Sequence, residues 1–162
     1  MNEKSFFEQF DFVRARTFHI CRNISDEESE RIPEGFSNNI KWNIGHIVVT
    51  QDFLINRLVL QRESLIPKEM TKLFKMGSSP KEWNQKAPTL EELFGLLKSN
   101  AEQLKELLTD KLDHPLENHM TIGSYSMKTV DELFSFTLFH EGIHQGVIQG
   151  LKYTVQNKPL QV

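Results

Sequence analysis

Apolar residues recur at intervals of three and four along four long stretches of the chain, and this spacing predicts four long amphipathic helices. They are expected at about Glu3–Arg22, from a cap among residues 37–39 to about Gln61, at Thr89–Leu108, and from Thr129 past Leu151. Thr89 and Thr129 each precede a glutamate by three residues, which is the spacing of a capping box at a helix start.

The segments between these helices are less regular. A short acidic helix is expected after Ser25, and residues 62–87 form a long connection with a short helix near Lys68–Lys75. A connection of this length is unusual in a compact domain unless it covers something. Residues 109–128 break the helical pattern without a convincing strand alternation. Lys158-Pro159 predicts a disordered tail.

Four long helices and no predicted strand indicate an all-α fold, namely a four-helix bundle with a long connection between the second and third long helices. The length of 162 residues suits one domain over residues 1–162. The net charge of −3 gives no strong basic field, so we expect no nucleic-acid partner.

Two further features bear on location. The chain has no apolar run of membrane-spanning length and no apolar core of a signal peptide near its start, so we expect no membrane partner. The single cysteine, Cys21, cannot form an internal disulfide, which agrees with a reducing compartment. The cytoplasm is therefore the expected location.

The candidate chemistry lies on the fourth predicted helix, whose inner side is expected to consist of Leu133, Phe136, His140, Ile143, Val147 and Leu151. His140 and His144 are four residues apart, so they share one helix face and can bind one metal ion. With Glu141 they spell H-E-x-x-H, in which the glutamate serves as a general base. Glu141 points about 100° away from His140 on a helix, so a surface role or a role in support of the metal ligands fits it equally well.

A third ligand has to come from upstream, because residues 145–162 contain no His, Asp, Glu or Cys. His46 is the best candidate, since it lies on a long amphipathic helix that a bundle can bring against the fourth. Three histidines leave coordination positions open for water or substrate, as in catalytic metal sites. His114 and His119 fall in the irregular segment, and His119 could approach the mouth of such a site.

Gly142, Gly146 and Gly150 recur every four residues on the same helix. A row of small side chains allows another helix to approach closely, either from this chain or from a second subunit.

The residues Trp42-Asn43-Ile44-Gly45-His46 and His140-Glu141-Gly142-Ile143-His144-Gln145-Gly146 resemble the DinB-like (YfiT-like) family. The resemblance covers essentially the whole helix plan. It implies a four-helix bundle that binds one divalent metal ion, most often nickel or zinc, through His46, His140 and His144. It also implies a small-molecule substrate, in some relatives a low-molecular-weight thiol, and a homodimer.

Two functional hypotheses follow. In the first, the protein is a metal-dependent enzyme, a transferase of low-molecular-weight thiols or a hydrolase, in which the ion activates a thiol or water. In the second, it is a non-catalytic, stress-associated binding protein with a structural or vestigial metal site. The open coordination positions favour the enzyme, whereas the lack of a second evident acid or base weakens it.

Overall fold

The structure is a computed structural model that describes residues 2–157, and within them it is mostly helical. In chain order its elements are α1 (Glu3–Ile20), α2 (Asp26–Glu30), α3 (Ile40–Phe53), α4 (Lys68–Phe74), α5 (Leu90–Leu108), β1 (Pro115–Ile122), β2 (Tyr125–Thr129) and α6 (Val130–Val155). A π-helical segment, Leu54–Val59, continues α3, and a 3-10 turn, Pro80–Glu82, follows α4. The predicted disordered tail at Lys158-Pro159 lies outside the described residues.

The four long helices and both short ones are present close to their predicted bounds. Side chains that satisfy free backbone N–H groups set several of the starts. The Glu92 N–H donates to Thr89 Oγ1 over 3.2 Å, and the Thr89 N–H donates to Glu92 Oε2 over 2.7 Å. The predicted capping box at the start of α5 is therefore confirmed.

The expectation that residues 109–128 contain no strand is wrong, because β1 and β2 form an antiparallel hairpin. Ile122 pairs with Tyr125, so the turn consists of Gly123 and Ser124 alone, and Gly123 has a φ of 59°. Glycine at the first position of a two-residue turn suits the twist of a hairpin. The alternation was too weak to predict because only one residue in each strand is buried.

Helix α3 occupies the centre of the fold. It packs against α2, α4, α5 and α6, and almost all of its residues are buried, including the polar Asn43 and His46. Helix α1 packs against α5 and α6. Each of the four long helices thus contacts at least two of the others. No helix within residues 2–157 is both long enough and apolar enough to cross a membrane.

The buried face of α6 differs from the predicted one. Ile143 and Val147 were expected on the inner side but are 49% and 37% exposed, whereas Glu141 is only 1% exposed. A β-carbon built at any of the three glycines of α6 would meet no described atom within 4 Å beyond its own helix backbone and chain neighbours. Their row therefore accommodates no other helix among residues 2–157.

Glu141 is buried because it faces Arg14 of α1. Arg14 Nη2 lies 3.1 Å from Glu141 Oε2 and donates to Gln51 Oε1 of α3 over 2.7 Å. Arg14 Nη1 donates to the Leu97 carbonyl of α5 over 3.0 Å. Burial lowers the pKa of Arg14 and the Glu141 carboxylate raises it, but an arginine remains cationic throughout the physiological range. One guanidinium group thereby joins all four long helices.

We expect Glu141→Leu to destabilise the fold by about 3–5 kcal/mol, because it leaves the Arg14 charge buried without its anion. The double variant Arg14→Met/Glu141→Leu should recover most of that loss, since it removes both charges together. Urea denaturation measures both values. A loss below about 1 kcal/mol in Glu141→Leu would show that Arg14 finds compensation elsewhere.

Candidate metal centre

Three histidines converge where α3 meets α6. His46 comes from α3, and His140 and His144 come from successive turns of α6. One ring nitrogen from each lies within 4.8 Å of those from the other two, and the Nε2 atoms of His140 and His144 are 3.3 Å apart. His46 is buried and the other two are half-buried. The structure thus brings together all three histidines that the sequence predicted as ligands.

The orientation of His46 is fixed by α4 and by its own helix. The His46 Nδ1–H donates to the backbone carbonyl of Phe74, the last residue of α4, over 2.6 Å. A carbonyl oxygen can only accept, so the proton lies on Nδ1 and the lone pair on Nε2. The Trp42 ring stacks on the imidazole with a centroid separation of 4.6 Å and an interplanar angle of 10°. His46 therefore presents Nε2 toward the other two histidines.

Asn43 orients His144 in the same way from across the helix interface. The His144 Nδ1–H donates to Asn43 Oδ1 over 2.7 Å, while Asn43 Nδ2 donates to the Asn39 carbonyl over 2.8 Å. The second bond assigns the amide nitrogen, and hence the oxygen that faces His144. The Nε2 lone pair of His144 is then free for a ligand. Holding the second imidazole nitrogen in this way is usual for histidines that bind metals.

All three imidazoles are held in the neutral form. Burial lowers the pKa of His46, although its hydrogen bond to Phe74 raises it in part. Burial and then the neighbouring His46 lower the pKa of His140 to about 4. Burial, His140 and His46 together lower that of His144 to about 3. Neutral imidazole is the form that coordinates a metal.

This donor set fits a divalent metal ion. Two nitrogens bound to one tetrahedral zinc ion at about 2.1 Å lie roughly 3.4 Å apart, close to the observed separation of 3.3 Å between His140 and His144. Two lone pairs at that distance repel unless a proton or a cation lies between them. The site can therefore hold a proton on His140 Nε2 or an ion shared by all three side chains.

The family model of the DinB superfamily matches residues 9–148, a range that includes all three histidines. The chain belongs to the DinB superfamily. No curated protein matches the chain. The resemblance predicted from the two histidine motifs is thus confirmed for this DinB-superfamily protein.

The remaining candidates lie elsewhere. Glu141 points away from the histidines toward α1, where Thr17 Oγ1 donates to Glu141 Oε1 over 2.5 Å in addition to the Arg14 contact. Its role as a general base remains a prediction, and the observed contacts are those of a structural anchor. His119 is an exposed residue of β1, and His114 is exposed just before that strand. Neither belongs to the three-histidine group.

Sequence reasoning missed the groups that hold the histidines. Asn43 and Trp42 belong to the same short motif as His46, so the motif could have indicated that they contact the histidines. Phe74 accepts the hydrogen bond from His46 through its backbone carbonyl. Any residue type could provide this carbonyl, so the sequence contains no signal for the contact. Thr50 lies one turn after His46, with its Oγ1 3.4 Å from His46 Nε2. Its hydroxyl is therefore a polar group beside the proposed ligand atom.

The histidines open onto a cavity of about 660 Å³. His46 and His140 form part of its wall, together with Thr50. The end of α4 and the tip of the β-hairpin form other parts of its wall. Because α4 belongs to the long connection over residues 62–87, that connection covers the site, as its length suggested.

We expect Gly45→Ala to destabilise the protein by about 1–3 kcal/mol, since overpacking a core displaces its neighbours. A β-carbon at Gly45 would lie 2.3–2.5 Å from the buried ring of Phe74. The matched control is Gly95→Ala in α5, whose new β-carbon would meet no described atom within 4 Å beyond its own helix backbone and chain neighbours. This variant should gain up to about 1 kcal/mol of helix propensity. Urea denaturation of both variants checks this prediction, and a Gly45→Ala protein as stable as the parent would contradict it.

In the metal-free protein, the free energy of unfolding should fall as the pH drops below about 6.5. Unfolded histidines take up protons there, whereas folded His140 and His144 stay neutral until about 4 and 3. The unfolded state then binds more protons, so stability decreases as the pH falls through this window. Denaturation of chelator-treated protein at a series of pH values measures the slope.

The variant His140→Gln should reduce this slope because one of the shifted groups is gone. His19→Gln is the matched control, since His19 is exposed on α1 and far from the site in sequence. Equal slopes in His140→Gln and the parent would show that the burial of His140 does not depress its pKa.

Proposed function

We propose that this protein is a metal-dependent enzyme that binds one divalent ion, zinc or nickel, through Nε2 of His46, His140 and His144. The observation that carries the proposal is the convergence of three imidazoles, two of which, His46 and His140, line a cavity. We further infer that α1, α3, α5 and α6 form the four-helix bundle of the DinB superfamily, because each of them packs against two of the others.

The chain's own residues hold and orient the donors. Phe74 and Asn43 keep the protons of His46 and His144 on Nδ1, so that Nε2 of each faces the shared position. Three protein ligands leave further coordination positions for a small molecule, as in catalytic metal sites. The ion, when bound, would supply Lewis-acid chemistry, which polarises an electrophile and makes a weakly acidic nucleophile easier to deprotonate.

The cavity favours a thiol over water as the nucleophile, and hence a thiol transferase over a hydrolase. A free thiol loses its proton much more readily than water does, so it depends less on a general base. No aspartate or glutamate among the described residues lines the cavity, and Glu141 is engaged by Arg14 instead. Thr50 is positioned to contact a molecule bound near His46.

The same lack of a carboxylate supports the second candidate, a non-catalytic, stress-associated binding protein with a structural or vestigial metal site. The two candidates make different predictions for turnover with metal bound. The homodimer and the cytoplasmic location remain predictions, tested by molecular mass in solution and by fractionation.

We expect the purified protein to bind about one divalent ion per chain, and His46→Ala, His140→Ala and His144→Ala each to lose most of it, since removing one of three protein ligands leaves two. The control His19→Ala changes an exposed histidine of α1 and should retain the metal. Elemental analysis after desalting measures the content. Full retention in all three variants would end the metal proposal.

Turnover then separates the two candidate functions. The metal-loaded protein is assayed with low-molecular-weight thiols and a panel of electrophiles, and consumption of the thiol is followed. Activity that disappears in His46→Ala and persists in His19→Ala supports the enzyme. Full metal content without turnover for any pair of substrates would favour the binding protein.

A further inference from the structure

We propose that the cavity beside the histidines binds an apolar molecule that carries a single negative group, with that group held near Lys75. This inference rests on the proposed function, because His46 and His140 belong to the same cavity. It adds the chemical class of the ligand, which neither the three histidines nor the family assignment specifies.

The walls of the cavity are mainly apolar. The apolar side chains come from four separate parts of the chain, namely Val49 and Phe53 of α3, Met76 after α4, Met120 and Ile122 of β1, and Phe136 of α6. A volume of about 660 Å³ lies within the usual range of small-molecule sites, which are lined mostly by apolar groups with few polar ones. An apolar ligand body matches this lining.

Several of these side chains remain accessible to a ligand. Met76 is 86% exposed, Phe53 is 52% exposed and Ile122 is 44% exposed, although all three are large and apolar. They belong to different elements, yet all border one cavity. Exposed apolar side chains gathered around a concave site mark a place where a ligand removes them from water.

The charge of the lining selects the sign of the ligand. Apart from the histidines, Lys75 is the one ionisable residue among the described residues that line the cavity. It forms no ion pair within residues 2–157, so its ammonium group is available. No acidic side chain of the described part of the chain opposes it there, and a divalent ion at the histidines would add further positive charge. The cavity therefore attracts an anion and disfavours a cation.

The test uses decanoate as an apolar anion, decanol as its neutral counterpart and decyltrimethylammonium as an apolar cation. Calorimetric titration is carried out on the full chain, both chelator-treated and zinc-loaded. We expect decanoate to bind both forms, decanol to bind more weakly, and the cation to bind at least about tenfold more weakly than decanoate, because like charges oppose it. Equal affinity for the cation and the anion, or no decanoate binding in either form, would overturn the proposal.

Two variants test where the ligand binds in the cavity. Lys75→Met should weaken decanoate about threefold and leave decanol unchanged, as expected for the loss of one partly exposed ion pair. Ile122→Asp puts a negative charge on the apolar wall and should weaken decanoate roughly tenfold or more. The matched controls are Lys72→Met, an exposed lysine of α4, and Phe12→Asp, an exposed phenylalanine of α1, neither of which lines the cavity.

All four substituted residues are exposed, and thermal melting verifies that each variant folds. Decanoate that binds only with zinc present and is unaffected by Lys75→Met would show that the negative group binds at the metal, which overturns its placement at Lys75. Elemental analysis of the same samples keeps the two proposals apart. Decanoate binding without metal binding would remove the proposed function and leave this inference standing, whereas metal binding without decanoate binding would do the reverse.

Discussion

The arrangement of the long helices depends on one buried guanidinium group. Arg14 of α1 contacts Gln51 of α3, the Leu97 carbonyl of α5 and Glu141 of α6, so its position constrains all four helices at once. A buried charge of this kind is costly unless its partners are well placed. Any packing of the helices that separates Arg14 from these partners leaves its charge buried without compensation. The arrangement in which all of the contacts form is therefore favoured.

This contact also determines which way the histidines point. On a helix, Glu141 is rotated by about 100° from His140 and by about 60° from His144, both toward the same side. Fixing the Glu141 side chain against α1 therefore turns both histidines toward α3, where His46 lies. Glu141 thus contributes to the three-histidine site by setting the rotation of α6, which is a different role from acting on a substrate.

The sequence predicted the features that depend on regular spacing. The four long helices follow from apolar periodicity, and the three-histidine group follows from a histidine pair without a downstream partner. The features that the sequence could not predict depend on contacts between residues that are far apart in the chain. The inward face of α6 was misassigned because a buried Glu141 breaks the apolar pattern. Its burial is tolerable because Arg14 and Thr17 of another helix contact its carboxylate. The hairpin was missed because Gly123-Ser124 was the main local signal, and few strand residues are buried.

The two sides of α6 differ in polarity, and this difference gives the three-histidine site its apolar surroundings. On the side of α6 that faces α1, Glu141 forms a buried ion pair with Arg14. On the side that faces the cavity, the polar groups are mainly the imidazoles, a few threonine hydroxyls and Lys75. A metal ion at the histidines would be less screened by apolar walls than by water, so its influence on a bound molecule would be stronger there. The selectivity of the cavity for its ligand would then depend on the ligand's shape and on the sign of its charge, because few groups in the lining can form hydrogen bonds.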